Sequence, residues 1–135
     1  LDGAKSKNWV YYQWGPFSYP EPLVMLHALP GSADIFFNQI IELAPKGYWV
    51  LLIEIPKYNT MADFVDGFQL FLDMLNIKKL HIYGAGLGGF LAMHFAAARP
   101  EKVKSIALTH SFCSNERIIQ HMHIPSFSVP WCPDF

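Results

Sequence analysis

Residues 80–98 read LHIYGAGLGGFLAMHFAAA. The first four are apolar or β-prone. Gly84, Gly86, Gly88 and Gly89 follow within six positions, and the remainder is rich in Ala, Leu and Phe. Strand formers, then residues without side chains, then helix formers describe a strand, a very tight turn and a helix. Glycine is needed in such a turn where the backbone must take a conformation closed to other residues, or where two segments must touch. The stretch holds no Asp, Glu, Lys or Arg, and its length alone suits a membrane span. The glycines and the change from strand to helix pattern argue against one.

Working outward from this stretch, the same alternation recurs. Residues 8–14 (NWVYYQW) read as a strand turned by Gly15-Pro16. Residues 23–29 (LVMLHAL) form a near-continuous apolar run, the pattern of a parallel strand covered on both faces. Pro30-Gly31 stops it, Ser32 is the expected N-cap of the next helix, and Phe36, Phe37, Ile40 and Ile41 recur at helical spacing until Pro45 and Gly47. Residues 48–53 (YWVLLI) are a second buried strand. Thr60-Met61-Ala62-Asp63 resembles a capping box, and Phe64, Val65, Phe68, Phe71, Leu72 and Leu75 then lie on one helical face as core. Pro100 closes the helix that ends the central stretch. Residues 103–109 (VKSIALT) are the last clear strand, and from Ser111 the pattern weakens through Pro125, Pro130 and Pro133. The order β, β, α, β, α, β, α, β predicts an α/β fold, a mostly parallel sheet with helices on both faces.

Composition narrows the partners. The chain has 135 residues, 52% hydrophobic and 16% charged, with a formal charge of −1. That balance fits one packed domain and excludes a disordered chain. It offers no basic face for nucleic acid. Cys113 and Cys132 form no C-x-x-C, so a reducing compartment is expected. No apolar signal segment opens the chain.

Two motifs compete for the central stretch. Gly84, Gly86 and Gly89 satisfy G-x-G-x-x-G, the dinucleotide fingerprint. That site also needs an acidic residue at the end of the next strand for the ribose hydroxyls. Here the next strand ends Leu108-Thr109-His110-Ser111, and Glu101 lies at its other end. The fingerprint also belongs to the first β-α unit, whereas strands precede this one. The second motif is the nucleophile elbow G-x-S-x-G, which Gly84-Ala85-Gly86-Leu87-Gly88 satisfies except for Gly86 at the serine position. An elbow sits behind earlier strands, and a loop after one of them supplies an oxyanion-hole N–H. His27-Ala28-Leu29-Pro30-Gly31 resembles the H-G-x-P-G loop of many hydrolases. The N–H groups of Leu29 and Leu87 are then the expected oxyanion-type donors around Gly86.

Several blocks in order extend the likeness. Gly31-Ser32-Ala33-Asp34-Ile35-Phe36-Phe37-Asn38-Gln39-Ile40 matches G-T-A-D followed by two aromatics and Q-I. Lys46-Gly47-Tyr48-Trp49-Val50 matches K/W-G-Y-R-V, Pro56-Lys57-Tyr58-Asn59 matches P-x-Y-W, and residues 84–92 match G-A-S-L-G-G-F-L-A with Gly86 for Ser. On these blocks residues 8–120 resemble the maspardin family of α/β-hydrolase-fold proteins. The resemblance implies an α/β-hydrolase fold of which this chain is the N-terminal, incomplete part. Residues 8–110 supply core strands and helices, and 111–135 the start of a cap or a disordered tail. It further implies a non-catalytic binding or adaptor protein of the cytoplasm, associating with a receptor's cytoplasmic tail and peripherally with endosomal or Golgi membranes. N-myc downstream-regulated-type proteins also carry glycine at the elbow but fit the block at 31–40 less well.

Catalysis by acyl transfer needs a nucleophile, a base touching it and a group orienting the base. Gly86 supplies no nucleophile, so no catalytic residue is assigned. His110, Ser111 and Glu116 are close together at the end of the last strand, where His110 and Ser111 are expected on opposite faces. His94 reads as helix packing, His27 as a lone side chain at the pocket mouth, and His121 with His123 as too few ligands for a metal. No cofactor and no metal is expected. The alternatives are a serine-type ester hydrolase, or a fragment of one whose nucleophile lies outside this chain, and a dinucleotide-binding oxidoreductase.

Overall fold

The computed structural model describes residues 7–16 and 19–114. Its sheet has five strands: β1 (Val10–Trp14), β2 (Leu23–Leu26), β3 (Val50–Glu54), β4 (Leu80–Ala85) and β5 (Val103–Thr109). Their spatial order is β1-β3-β2-β4-β5. β3, β2, β4 and β5 run parallel, and β1 closes the β3 edge antiparallel, with Tyr12 opposite Leu52. The mostly parallel α/β architecture expected from the alternation is therefore present.

The apolar runs of β2 and β3 are explained by helices on both faces. Successive side chains of a strand point to opposite faces. Val24 and Leu26 thus join Leu51, Ile53 and Ile82 in a core with Phe64, Phe68 and Phe95. These phenylalanines come from α2 (Met61–Met74) and α3 (Leu87–Ala98). Met25, Val50 and Leu52 pack on the other face with Ala33, Phe36 and Ile40. Those come from a 3-10 turn (Ala33–Phe36) that leads into α1 (Phe37–Leu43). Among the described residues no helix is long and apolar enough to cross a membrane.

Two capping expectations have different outcomes. Thr60 caps α2: its Oγ1 accepts the Asp63 N–H at 3.1 Å and donates to the Asp63 carboxylate at 2.8 Å. Ser32 occupies the N-cap position but makes no side-chain cap, because its hydroxyl turns to Asp34. The Glu54 carboxylate, arriving from the end of β3, takes the first N–H of the turn, that of Ala33, at 2.8 Å.

Gly67 lies mid-helix in α2 because Tyr58 fills the space beside it. A Cβ there would fall 2.1 Å from the Tyr58 hydroxyl oxygen and 2.6 Å from its ring. Tyr58 is 2% exposed, packed among Trp9 and Phe64, and burial pushes its phenol above the ordinary range. Alanine ordinarily strengthens a helix interior by about 1 kcal/mol over glycine. Here Gly67→Ala is expected to cost about 1–3 kcal/mol through overpacking. The urea midpoint should fall at unchanged slope, and Tyr58→Leu in the same chain should recover part of the loss. A raised midpoint would contradict the contact.

Candidate functional site: a strand-turn-helix elbow without a side chain

β4 passes into α3 through one residue. Gly86 adopts φ 53° and ψ −117°, in the left-handed region that an L side chain enters only under strain. Its N–H donates to the Thr109 carbonyl of β5 at 3.0 Å. Its carbonyl accepts the N–H groups of Gly89 at 3.1 Å and Phe90 at 3.2 Å, which starts the helix. The turn is thus held from the neighbouring strand and from the helix it opens.

The other glycines let α3 lie close on the sheet. A Cβ on Gly88 would fall 2.1 Å from the Leu26 carbonyl oxygen, and one on Gly84 would fall 2.5 Å from the Gly89 Cα. Gly84 and Gly89 therefore touch each other, which leaves Gly86 as the one glycine of the dinucleotide fingerprint not taken up by that contact. β5 ends at Thr109, whose hydroxyl meets the Tyr83 hydroxyl at 2.8 Å. No carboxylate stands there for a ribose among the described residues. The geometry follows the elbow pattern.

The structure brings the loop after β2 to this turn. A Cβ built on Gly86 would lie 3.0 Å from the Ala28 methyl and 3.6 Å from its Cα. Leu29, 44% exposed, follows Ala28 and is joined to Pro30 by a cis peptide bond. Leu87 is half-buried as the first residue of α3. First-turn N–H groups of a helix have no partner within it.

His27 differs from the expected pocket-mouth side chain. It is 3% exposed and ties the ends of β2 and β3 together. Its Nε2 accepts the Ile55 N–H at 3.3 Å, and its Nδ1 lies 2.9 Å from the Ala28 carbonyl oxygen. A carbonyl only accepts and an N–H only donates, so these partners place the proton on Nδ1. Glu54 stands 3.6 Å from Nε2, beyond hydrogen-bond distance, and its other oxygen takes the Ala33 N–H. Sequence reasoning passed over Glu54. Its signal was a carboxylate ending an otherwise apolar strand, at the carboxyl end of β3.

Among the described residues the remaining candidates are not brought together. His110 and Ser111 lie beyond β5, and His110 takes φ 51°, so the expected strand alternation does not apply to them. The Ser111 hydroxyl is directed at the carbonyls of Thr109 at 3.3 Å and Gly84 at 3.4 Å. His94 packs edge-on against Phe90, with centroids 4.4 Å apart. Cys113 is an exposed free thiol. Glu116, His121, His123, Cys132 and the expected cap or tail lie outside the described residues, apart from residues 111–114. Two open grooves lie away from the elbow. One, of about 300 Å³, runs between α2 and α3 beside the Arg99–Asp66 ion pair, and one of about 500 Å³ is lined by Trp49, Leu75, Lys78 and Lys79.

Comparison with known proteins agrees with this geometry. The family model for the alpha/beta hydrolase fold matches residues 21–132. Maspardin of Homo sapiens is 42% identical over 114 residues, covering 83% of this chain and 37% of the relative; maspardin of Danio rerio is 40% identical over the same shares. The chain thus spans little more than a third of the length of these relatives. Among solved structures, a carboxylesterase of the ammonia-oxidizing Thaumarchaeon Nitrososphaera gargenis superposes with a TM-score of 0.74 at 26% identity, covering 84% of this chain and 46% of that one. Naproxen esterase of Bacillus subtilis superposes with a TM-score of 0.67 at 26% identity, covering 73% and 37%.

Proposed function

The chain belongs to the α/β-hydrolase-fold family and is similar to maspardin, and from that premise we propose that it is a non-catalytic member that binds through its elbow. One observation carries the reading: the turn that presents the nucleophile in this fold is formed, and the residue at its apex is Gly86. What the loss of a serine leaves in place is backbone. The N–H of Leu87, at the positive end of α3, and the N–H of Leu29, in the loop whose Ala28 abuts Gly86, are the proposed donors. Two N–H groups around a position without a side chain suit a carboxylate or carbonyl oxygen. The occupant is a protein segment, in the reading taken from maspardin a receptor's cytoplasmic tail. The site of action is the cytoplasm, with peripheral attachment to endosomal or Golgi membranes.

Acetate is the probe for the donor pair. Titration into the ¹⁵N-labelled chain is expected to move the amide resonances of Leu29 and Leu87 along one saturable curve. Chloride at equal ionic strength should not reproduce it. Acetate shifts no larger at these two amides than at solvent-exposed loops would overturn the donor assignment.

A second reading has one observation in its favour, the superposition on carboxylesterases and esterases. In that reading the chain is part of an ester hydrolase that draws its nucleophile from elsewhere in a longer protein.

A further inference from the structure

We infer that His27 is a positioning residue: it sets the direction of the Leu29 N–H by holding the Ala28 carbonyl. The inference rests on the proposed donor role of Leu29. The Ala28 carbonyl and the Leu29 N–H belong to one peptide unit. In a planar trans peptide the C=O and N–H bonds point in opposite directions. Whatever fixes the carbonyl therefore aims the N–H. One polar contact fixes it, and a close backbone approach confines it. His27 Nδ1 lies 2.9 Å from the Ala28 oxygen. On the same oxygen, Gly31 closes so tightly that a Cβ there would fall 2.8 Å away.

The imidazole is itself held. Nε2 receives the Ile55 N–H at 3.3 Å, from the residue just past β3, and the ring is buried. β3 thereby reaches the loop through the ring, and through Glu54 to Ala33 beyond the loop's far end. The stretch from residue 28 to 32 is clamped at both ends by the ends of β2 and β3. The buried imidazole thus orients a backbone donor beside an apex that has no side chain of its own. Its two nitrogens have separable roles, donor at Nδ1 and acceptor at Nε2.

The test separates those roles by measuring bond direction without any ligand. Residual dipolar couplings report the orientation of each N–H in the ¹⁵N-labelled chain. His27→Asn keeps an N–H donor close to the Nδ1 position. His27→Gln keeps an acceptor close to Nε2 and removes the near donor. The Leu29 coupling is expected to shift in His27→Gln and to stay at the parent value in His27→Asn, while Leu87 and Gly88 keep theirs in both. In the acetate titration the saturating shift at Leu29 should fall at least about fivefold in His27→Gln, while that at Leu87 is retained with its midpoint at higher acetate. An unchanged Leu29 coupling in His27→Gln, or an equal shift in both variants, would overturn the inference. Absence of any acetate response in the parent chain, with the coupling shift present, would overturn the binding reading and leave the positioning role standing.

Discussion

Gly88→Ala is expected to remove a large part of the stability of the domain. The added methyl would sit 2.1 Å from the Leu26 carbonyl oxygen, 2.5 Å from its carbonyl carbon and 2.7 Å from the His27 oxygen. All three are backbone atoms, so no side chain can rotate aside. α3 must back away from β2, and Phe90, Leu91, Ala92 and Phe95 lose their packing with it. Overpacking of this kind costs about 3 kcal/mol or more, against a total of about 5–15 kcal/mol for a domain. Gly89→Ala is the internal comparison. Its methyl would meet the Ser111 hydroxyl at 1.7 Å and the Ser111 Cβ at 2.6 Å, on a residue past the end of β5, with the backbone oxygen of Gly84 at 3.1 Å; Ser111 can shift where β2 cannot, so the loss should be smaller. Urea unfolding of both variants checks the order. A Gly88→Ala midpoint equal to the parent's would mean that α3 does not lie where the structure puts it.

Gly86→Ser is also expected to destabilise the domain, and the direction of its effect separates a relieved turn from an indifferent one. Serine at φ 53° carries strain on the order of 1–3 kcal/mol, and replacing glycine returns roughly 0.5–1 kcal/mol of chain entropy. Its Cβ would also press on the Ala28 methyl at 3.0 Å. The net expectation is a loss of about 1–2 kcal/mol, read from thermal melts. Ala28→Gly added to Gly86→Ser should return the part due to the methyl and leave the part due to φ, a coupling of roughly 0.5–1 kcal/mol. A Gly86→Ser melt without loss of stability would count against the view that glycine relieves this turn. A double variant as unstable as Gly86→Ser would show that Ala28 does not crowd the apex.

Most of the architecture was readable because it rests on local signals. The apolar runs at 23–29 and 48–53 announce strands covered on both faces, and the spacing from Phe64 to Leu75 announces α2. Thr60 caps it because its short side chain brings Oγ1 within reach of the Asp63 N–H. The elbow was legible because glycines at 84, 86, 88 and 89 have few other uses together. What was missed depends on long-range contacts. Ser32 looked like a cap, but its hydroxyl turns to the Asp34 carboxylate, and Glu54, 21 residues from Ala33, holds the first N–H of the turn. His27 looked like a lone polar group until Ile55 and the Ala28 carbonyl were beside it. Nothing near Gly67 in sequence says that the Tyr58 ring fills its side.

The proposed function requires that an elbow with Gly86 at its apex does not cleave esters. p-Nitrophenyl acetate turnover by the unmutated chain tests this, with a heat-denatured sample as the control. In subtilisin removal of the nucleophile costs about 10⁶ in kcat. The rate is therefore predicted to match the denatured control at every substrate concentration. Saturable turnover above that control, lost on denaturation, would contradict the claim and favour a hydrolase.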